Sequence, residues 1–315
     1  MKPNTSSFPN LKLISFSKST NDVFCQKHIE VWSQYLAIKL IIQKFFLKIK
    51  SGIYMIFSDK SDVTIVITSC GRFELLENTI QSLDKHNTYP IGKVIITEDS
   101  GNKKIVEVIP EHWKPHCKII INNPKLGQIK SIDLAYSKVE TQYIFHCEDD
   151  WLFYRDGFIE DSRLLLEENH DILQVWLRDF EKDIKINYPF HYPSNPQSVC
   201  GVDFSILESN DEVWKGFSFN PGLRRKSDYL RIAPYYVGKD FGEAEAHISK
   251  LYYDMGMYAV LLKNSATEHI GWDQHIINEN DIFHNKDKIQ KKIKYFSIGF
   301  LFGCILTFVF ISLMK

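Results

Sequence analysis

Four short apolar runs, each ending abruptly in polar, turn-forming residues, limit what this chain can fold into. Val63-Thr64-Ile65-Val66-Ile67-Thr68 runs into Ser69-Cys70-Gly71-Arg72, and Val94-Ile95-Ile96-Thr97 into Glu98-Asp99-Ser100-Gly101. Lys118-Ile119-Ile120-Ile121 runs into Asn122-Asn123-Pro124, and Tyr143-Ile144-Phe145-His146-Cys147 into Glu148-Asp149-Asp150-Trp151. β-Branched runs of this length predict buried strands. Between them, Leu75, Leu76, Ile80 and Leu83, and then residues 129–139, carry helical spacing. Strands alternating with helices predict an α/β fold, with a mostly parallel central sheet and helices on both faces. In such sheets ligands bind outside the carboxyl ends of the strands, where all four polar clusters fall.

The fourth cluster is the most demanding. Three consecutive acids, Glu148, Asp149 and Asp150, stand where a buried strand emerges; like charges repel there and desolvation raises their pKa values. A divalent cation relieves both costs, and hard oxygen ligands suit Mg²⁺ or Mn²⁺. The alternative is a solvated turn. No G-x-G-x-x-G follows the first run and no G-x-x-x-x-G-K-[ST] occurs, so neither a Rossmann cofactor nor a P-loop nucleotide has its signature.

Net charge is −1, and no basic stripe interleaved with aromatics occurs, which points away from nucleic acid. The six cysteines are scattered without a C-x-x-C pair, which fits neither a zinc site nor a disulfide scaffold and suits a reducing compartment. Tyr295 to Met314 is a run of 20 residues without a charge, and about 20 apolar residues span a hydrocarbon core. Lys286, Lys288, Lys291, Lys292 and Lys294 precede it and only Lys315 follows. The positive-inside rule then predicts a single C-terminal membrane anchor with the folded part in the cytosol. The expected organisation is an N-terminal extension over residues 1–60 with a basic apolar helix, a domain over 61–285, and a basic flank with a transmembrane helix over 286–315.

Farther along, residues 156–168 predict a helix and residues 172–177 a strand. Residues 181–212, with Pro189, Pro193 and Pro196, read as a long irregular loop. Patterned sequence returns at 213–222, where Trp214 and Asn220 are candidates for lining an acceptor groove. A helix over 242–256 and a strand over 257–262 follow.

In this order the motifs resemble the nucleotide-sugar glycosyltransferases of the GT-A fold, a Rossmann-like architecture, and family 2 among them, over roughly residues 62–272. The resemblance implies that Thr68, Ser69 and Arg72 contact the nucleotide and that Glu98 or Asp99 contacts its base or ribose. It sets Asn123, in the stretch NNPKLGQIKSIDLAY, beside the donor. Glu148-Asp149-Asp150 matches the family's D-x-D position, with Asp150 as metal ligand and Glu148 reaching ribose or metal. Gly242-Glu243-Ala244-Glu245 matches a Gly-Glu-Asp motif whose usual base is replaced by Ala244, leaving Glu243 or Glu245 for that work. His269 matches a late histidine that completes the metal site.

The chemistry implied is transfer of a sugar from a nucleoside diphosphate to an acceptor hydroxyl. Mn²⁺ or Mg²⁺ would stabilise the leaving group, Arg72 or Lys130 would bond phosphate, and a glutamate would take the hydroxyl proton. A single displacement would invert the anomeric configuration. The membrane anchor suggests a glycan or lipid-linked acceptor at the cytosolic face. The rival expectations are a sugar nucleotidyltransferase of related fold and a non-catalytic, membrane-tethered carbohydrate-binding protein.

Overall fold

A computed structural model describes residues 55–238 and 241–274. They belong to one compact unit that begins at Met55, which is itself buried. The run 295–314 and the basic apolar stretch before residue 55 lie outside the described residues. Within the described residues, no helix is long and apolar enough to cross a membrane.

The four apolar runs form β1 (Val63–Ser69), β2 (Lys93–Glu98), β3 (Cys117–Ile121) and β4 (Tyr143–Glu148). They lie in the order β4-β1-β2-β3 and all pair parallel, so every carboxyl end reaches the same edge of the sheet. Alternation along each strand separates two cores. Ile65, Ile67, Val94, Ile96, Phe145 and Cys147 face α1 (Phe73–His86) and α3 (Phe158–Glu168). Val66, Ile95 and Ile144 face α2 (Gln128–Tyr136) and α5 (Phe241–Asp254), the last following the short α4 (Lys226–Ile232). Leu76 of α1 is wholly buried in the first core, so Leu76→Ala is expected to cost about 2–5 kcal/mol in urea unfolding. A loss under 1 kcal/mol would contradict this packing.

Three parts of the fold depart from the sequence expectation. Residues 181–212 are not an irregular loop. They hold a π-helical turn (Phe180–Ile184), a further helical turn, and strands β7 (His191–Pro193), β8 (Gln197–Val199) and β9 (Val202–Ser209). With β6 (Ile172–Trp176) and β11 (Tyr258–Leu262) these strands build a second sheet in the order β6-β11-β9-β7, with β8 on β9. The turn between β8 and β9 is Cys200-Gly201, both at positive φ, a hairpin geometry usually signalled by asparagine or aspartate with glycine.

Second, β10 (Gly222–Arg225) adds antiparallel to β4 and closes that edge of the main sheet. Its two arginines disguise it as surface. Arg225 is buried and donates to the carbonyls of Leu166, Asn169 and Ile172, satisfying the end of α3. Arg224 donates to the carbonyls of Ser218 and Asn220 and fixes that loop.

Third, the acidic tetrad does not run into solvent. It turns directly into β5 (Trp151–Phe153), whose N–H groups are taken by the Thr79 and Ser82 hydroxyls of α1, at 3.0 and 3.1 Å. The other edge of β5 pairs with β12 (Thr267–His269), bringing His269 opposite Trp151.

Candidate active site

The carboxyl ends of β1, β2 and β4 open onto a cavity of about 390 Å³. Of the residues expected from sequence, Thr68, Ser69, Arg72, Asp99, Glu148, Asp149, Asp150, Asn220, Glu245 and His269 line it. Glu98 is buried just outside, accepting from Ser100 N–H at 2.8 Å and Gly71 N–H at 3.2 Å, and so braces the two strand-end turns. Asn123 is exposed and off the cavity wall. Lys130 stacks its ammonium over Tyr236, 4.4 Å from the ring centre, while Lys125 reaches the cavity instead. Trp214 donates to the Phe217 carbonyl at 2.6 Å and packs on Tyr188 and Phe190, away from the cavity. Glu243 is exposed.

Asp99 lines the cavity and also braces the loop that follows β3. Its Oδ1 accepts from Asn122 and from Leu126 N–H, each at 2.8 Å, and its Oδ2 from Gly127 N–H at 2.8 Å. These bonds shape the turn into α2 at Gly127, whose φ of +85° suits glycine. From α2, Gln128 donates to Glu148 Oε1, and Trp151 Nε1 donates to Oε2 at 3.3 Å. Burial, with Asp150 and Glu245 adding their charges, pushes the Glu148 carboxyl up to about 8.

Arg72 reaches across from the end of β1. Its guanidinium pairs with Asp149 and, at 2.9 Å, with Asp150, and it donates to the Gln274 carbonyl at 3.2 Å. Burial pushes the Asp149 carboxyl up to about 6, against the pull of Arg72. Asp150 is different. Burial opposes its ionisation, but the hydrogen bond from His269 and the Arg72 charge outweigh it and hold its pKa below the ordinary aspartate value. His269 Nε2 lies 3.2 Å from Asp150 Oδ2. The chain then folds over Asp150, with Ile270 N–H donating to its carbonyl at 2.9 Å. A Cβ on Gly271 would stand 2.6 Å from Asp150 Oδ2.

Asp150 Oδ1 is buried and has no hydrogen-bond partner. Such an orphaned carboxylate oxygen fits a hard cation. Among the described residues no three metal-ligating side chains cluster. An ion of the Mg²⁺ type takes one or two protein carboxylates and completes its shell with water and substrate phosphates. Asp150 and His269 are the residues that would hold it.

Glu245, from the first turns of α5, also lines the cavity and is 6% exposed. Its Oε1 accepts from Phe219 N–H at 2.7 Å, and burial raises its pKa against the pull of Phe219 and Ser218. One cavity thus combines the acidic residues of a strand end with a second buried carboxylate, Glu245. Residues 64–221, half of the chain, match the model of glycosyl transferase family 2. The chain belongs to that family.

Its fold is of the GT-A type. Its fold is similar to that of the mannosyltransferase PcManGT from Pyrobaculum calidifontis in complex with GDP-Man and Mn²⁺, with a TM-score of 0.51 at 11% identity over 74% of this chain and 65% of that one. S. aureus TarS 1–349 in complex with UDP-GlcNAc overlaps at a TM-score of 0.49 and 13% identity, over 70% of this chain and 63% of that one. GalNAc-T7 with UDP, GalNAc and Mn²⁺ overlaps at 0.48 and 14%, over 68% and 45%. The chain therefore spans less than two thirds of the length of each. No curated protein matches it in sequence.

Residues that the sequence did not mark also line the cavity: Lys125, Gln128, Arg178, Tyr188, Ser218 and Trp272. Arg178 had a signal. It stands at the polar end of the run Ile172–Leu177, a fifth strand end of the kind that singled out the other four.

Proposed function

We propose that this glycosyltransferase moves a neutral or substituted hexose from a nucleoside-diphosphate sugar to an acceptor hydroxyl, with inversion at the anomeric carbon. The observation that carries the proposal is Glu245, buried and lining the same cavity as Asp150. Thr68, Ser69 and Asp99, at the ends of β1 and β2, hold the nucleoside; Lys125 and Arg72 face its phosphates. Asp150 and His269 would hold Mn²⁺ or Mg²⁺, which would supply Lewis-acid stabilisation of the diphosphate leaving group. Glu245 accepts the proton of the acceptor hydroxyl as that oxygen attacks, and a raised pKa makes it a better base than an exposed glutamate. A single displacement assisted by this base would invert the anomeric carbon.

Glu245 also favours catalysis over a non-catalytic sugar-binding role, since burying a carboxylate is costly even with the bond from Phe219 N–H, and a protein that needs no base gains nothing by it. The charge-free run 295–314, outside the described residues, supports a lipid-linked or glycan acceptor at the cytosolic face of a membrane. Incubation of the full-length protein in detergent with UDP- and GDP-sugars and Mn²⁺ should release nucleoside diphosphate. Loss of release with EDTA, and its return on adding Mn²⁺, is the expected result. Release unaffected by EDTA would remove the metal from the proposal, and pyrophosphate exchange instead would replace transfer with nucleotidyl transfer.

A further inference from the structure

We propose that Arg178 donates a hydrogen bond to a neutral oxygen of the transferred sugar, a hydroxyl or an amide carbonyl, and so restricts the donor to uncharged sugars. This inference rests on the donor-site reading above. Arg178 follows β6 and is only 2% exposed, yet it forms part of the cavity wall. One edge of its guanidinium is taken: Nε and Nη2 donate to the two oxygens of Asp183, each at 2.6 Å. Its flat faces are also occupied, 4.6 Å from the ring centre of Tyr188 and 5.2 Å from that of Trp151. The group is therefore held in place before any ligand arrives. Its Nη1 remains buried without a hydrogen-bond acceptor. Native proteins leave few buried donors unpaired, and one at a cavity wall calls for an acceptor atom from the ligand.

Charge decides what kind of acceptor. Asp183 already balances Arg178 through two bonds. Arg72 is likewise committed to Asp149 and Asp150. Of the basic side chains on the wall, Lys125 alone, among the described residues, has no carboxylate within ion-pair distance. It sits in the loop that Asp99 braces, on the nucleoside side. Glu245 lies near enough to Arg178 for their charges to interact, and Glu148 interacts with Glu245 in turn. A carboxylated sugar placed there would meet the Glu245 carboxyl group and a guanidinium already neutralised by Asp183, and burying such an unpaired charge is strongly unfavourable. A hydroxyl or acetamido oxygen satisfies Nη1 without that cost.

The test is calorimetric, with Mn²⁺ present. UDP and GDP are compared with UDP-glucose, UDP-galactose, UDP-N-acetylglucosamine, GDP-mannose and UDP-glucuronic acid, on wild type, Arg178→Met, Arg178→Lys and Asp183→Asn. In wild type at least one neutral sugar nucleotide should bind roughly tenfold or more tighter than its parent diphosphate, and UDP-glucuronic acid should show no such gain. Arg178→Met should lose the gain while diphosphate affinity stays within about twofold of wild type. Asp183→Asn, which keeps the guanidinium but loosens it, should lose part of it. Near-ultraviolet circular dichroism establishes that each variant is folded, and Arg178→Lys and Asp183→Asn carry the test if Arg178→Met is not. A gain that survives in the folded variants, or one greatest for the glucuronate, overturns the inference alone. Wild type that binds neither UDP nor GDP overturns the donor site itself.

Discussion

Glu245→Gln is expected to lower kcat by about 10²–10⁴-fold, with little change in donor KM, while Glu243→Gln stays near wild type. The two glutamates are two residues apart on α5 but meet different surroundings: Glu245 is buried on the cavity wall and Glu243 is exposed. The glutamine keeps the bond from Phe219 N–H, so the loop it anchors should hold, and only the proton acceptor is removed. The pH profile gives an independent reading. Burial raises the Glu245 pKa above the ordinary 4.5. A base works deprotonated, so the rate should fall as pH drops through that raised value. Equal, near-native rates for both variants would remove Glu245 from the reaction.

Gly271→Ala should be nearly as damaging without removing any functional group. The new Cβ would stand 2.6 Å from Asp150 Oδ2, 2.7 Å from its Cβ and 3.0 Å from its Cγ. Real atoms do not approach so closely, so either Asp150 or the segment carrying His269 must move. Because about 1 Å of misplacement can cost on the order of 10²-fold, kcat/KM should drop by at least that factor. Overpacking itself costs about 1–3 kcal/mol, so the variant should still fold, with a modestly lower Tm. Gly242→Ala is the control: a Cβ there meets nothing within 4 Å. Full activity in Gly271→Ala would mean that the contact between Gly271 and Asp150 is not needed for turnover.

What the sequence revealed follows from how local each signal is. Strands β1, β2 and β4 and the helices between them are apolar at a fixed period, and their polar ends are contiguous with them. Thr68, Ser69, Asp99 and the acidic tetrad were legible for that reason. Residues brought in by distant pairing were not. Strand β10 carries two buried arginines, whose partners are carbonyls from α3 and from the loop before it. Strand β9 is half-exposed, and its hairpin turns on Cys200-Gly201 without the usual residues. Whether Glu243 or Glu245 faced the cavity depended on the rotation of α5 against Phe219, a tertiary fact. Likewise Lys125 and Lys130 sit in one short stretch, and only the turn at Gly127 decides which reaches the cavity.

The bond from Arg72 to the Gln274 carbonyl joins residues 202 positions apart. Synthesis runs from the amino terminus, and domains assemble as the chain emerges. The main parallel strands can therefore pair long before β12 and Gly271 leave the ribosome. Until then Asp150 has neither His269 beside it nor the chain folded across it. A nascent chain thus acquires its parallel sheet first and the contacts that surround Asp150 last.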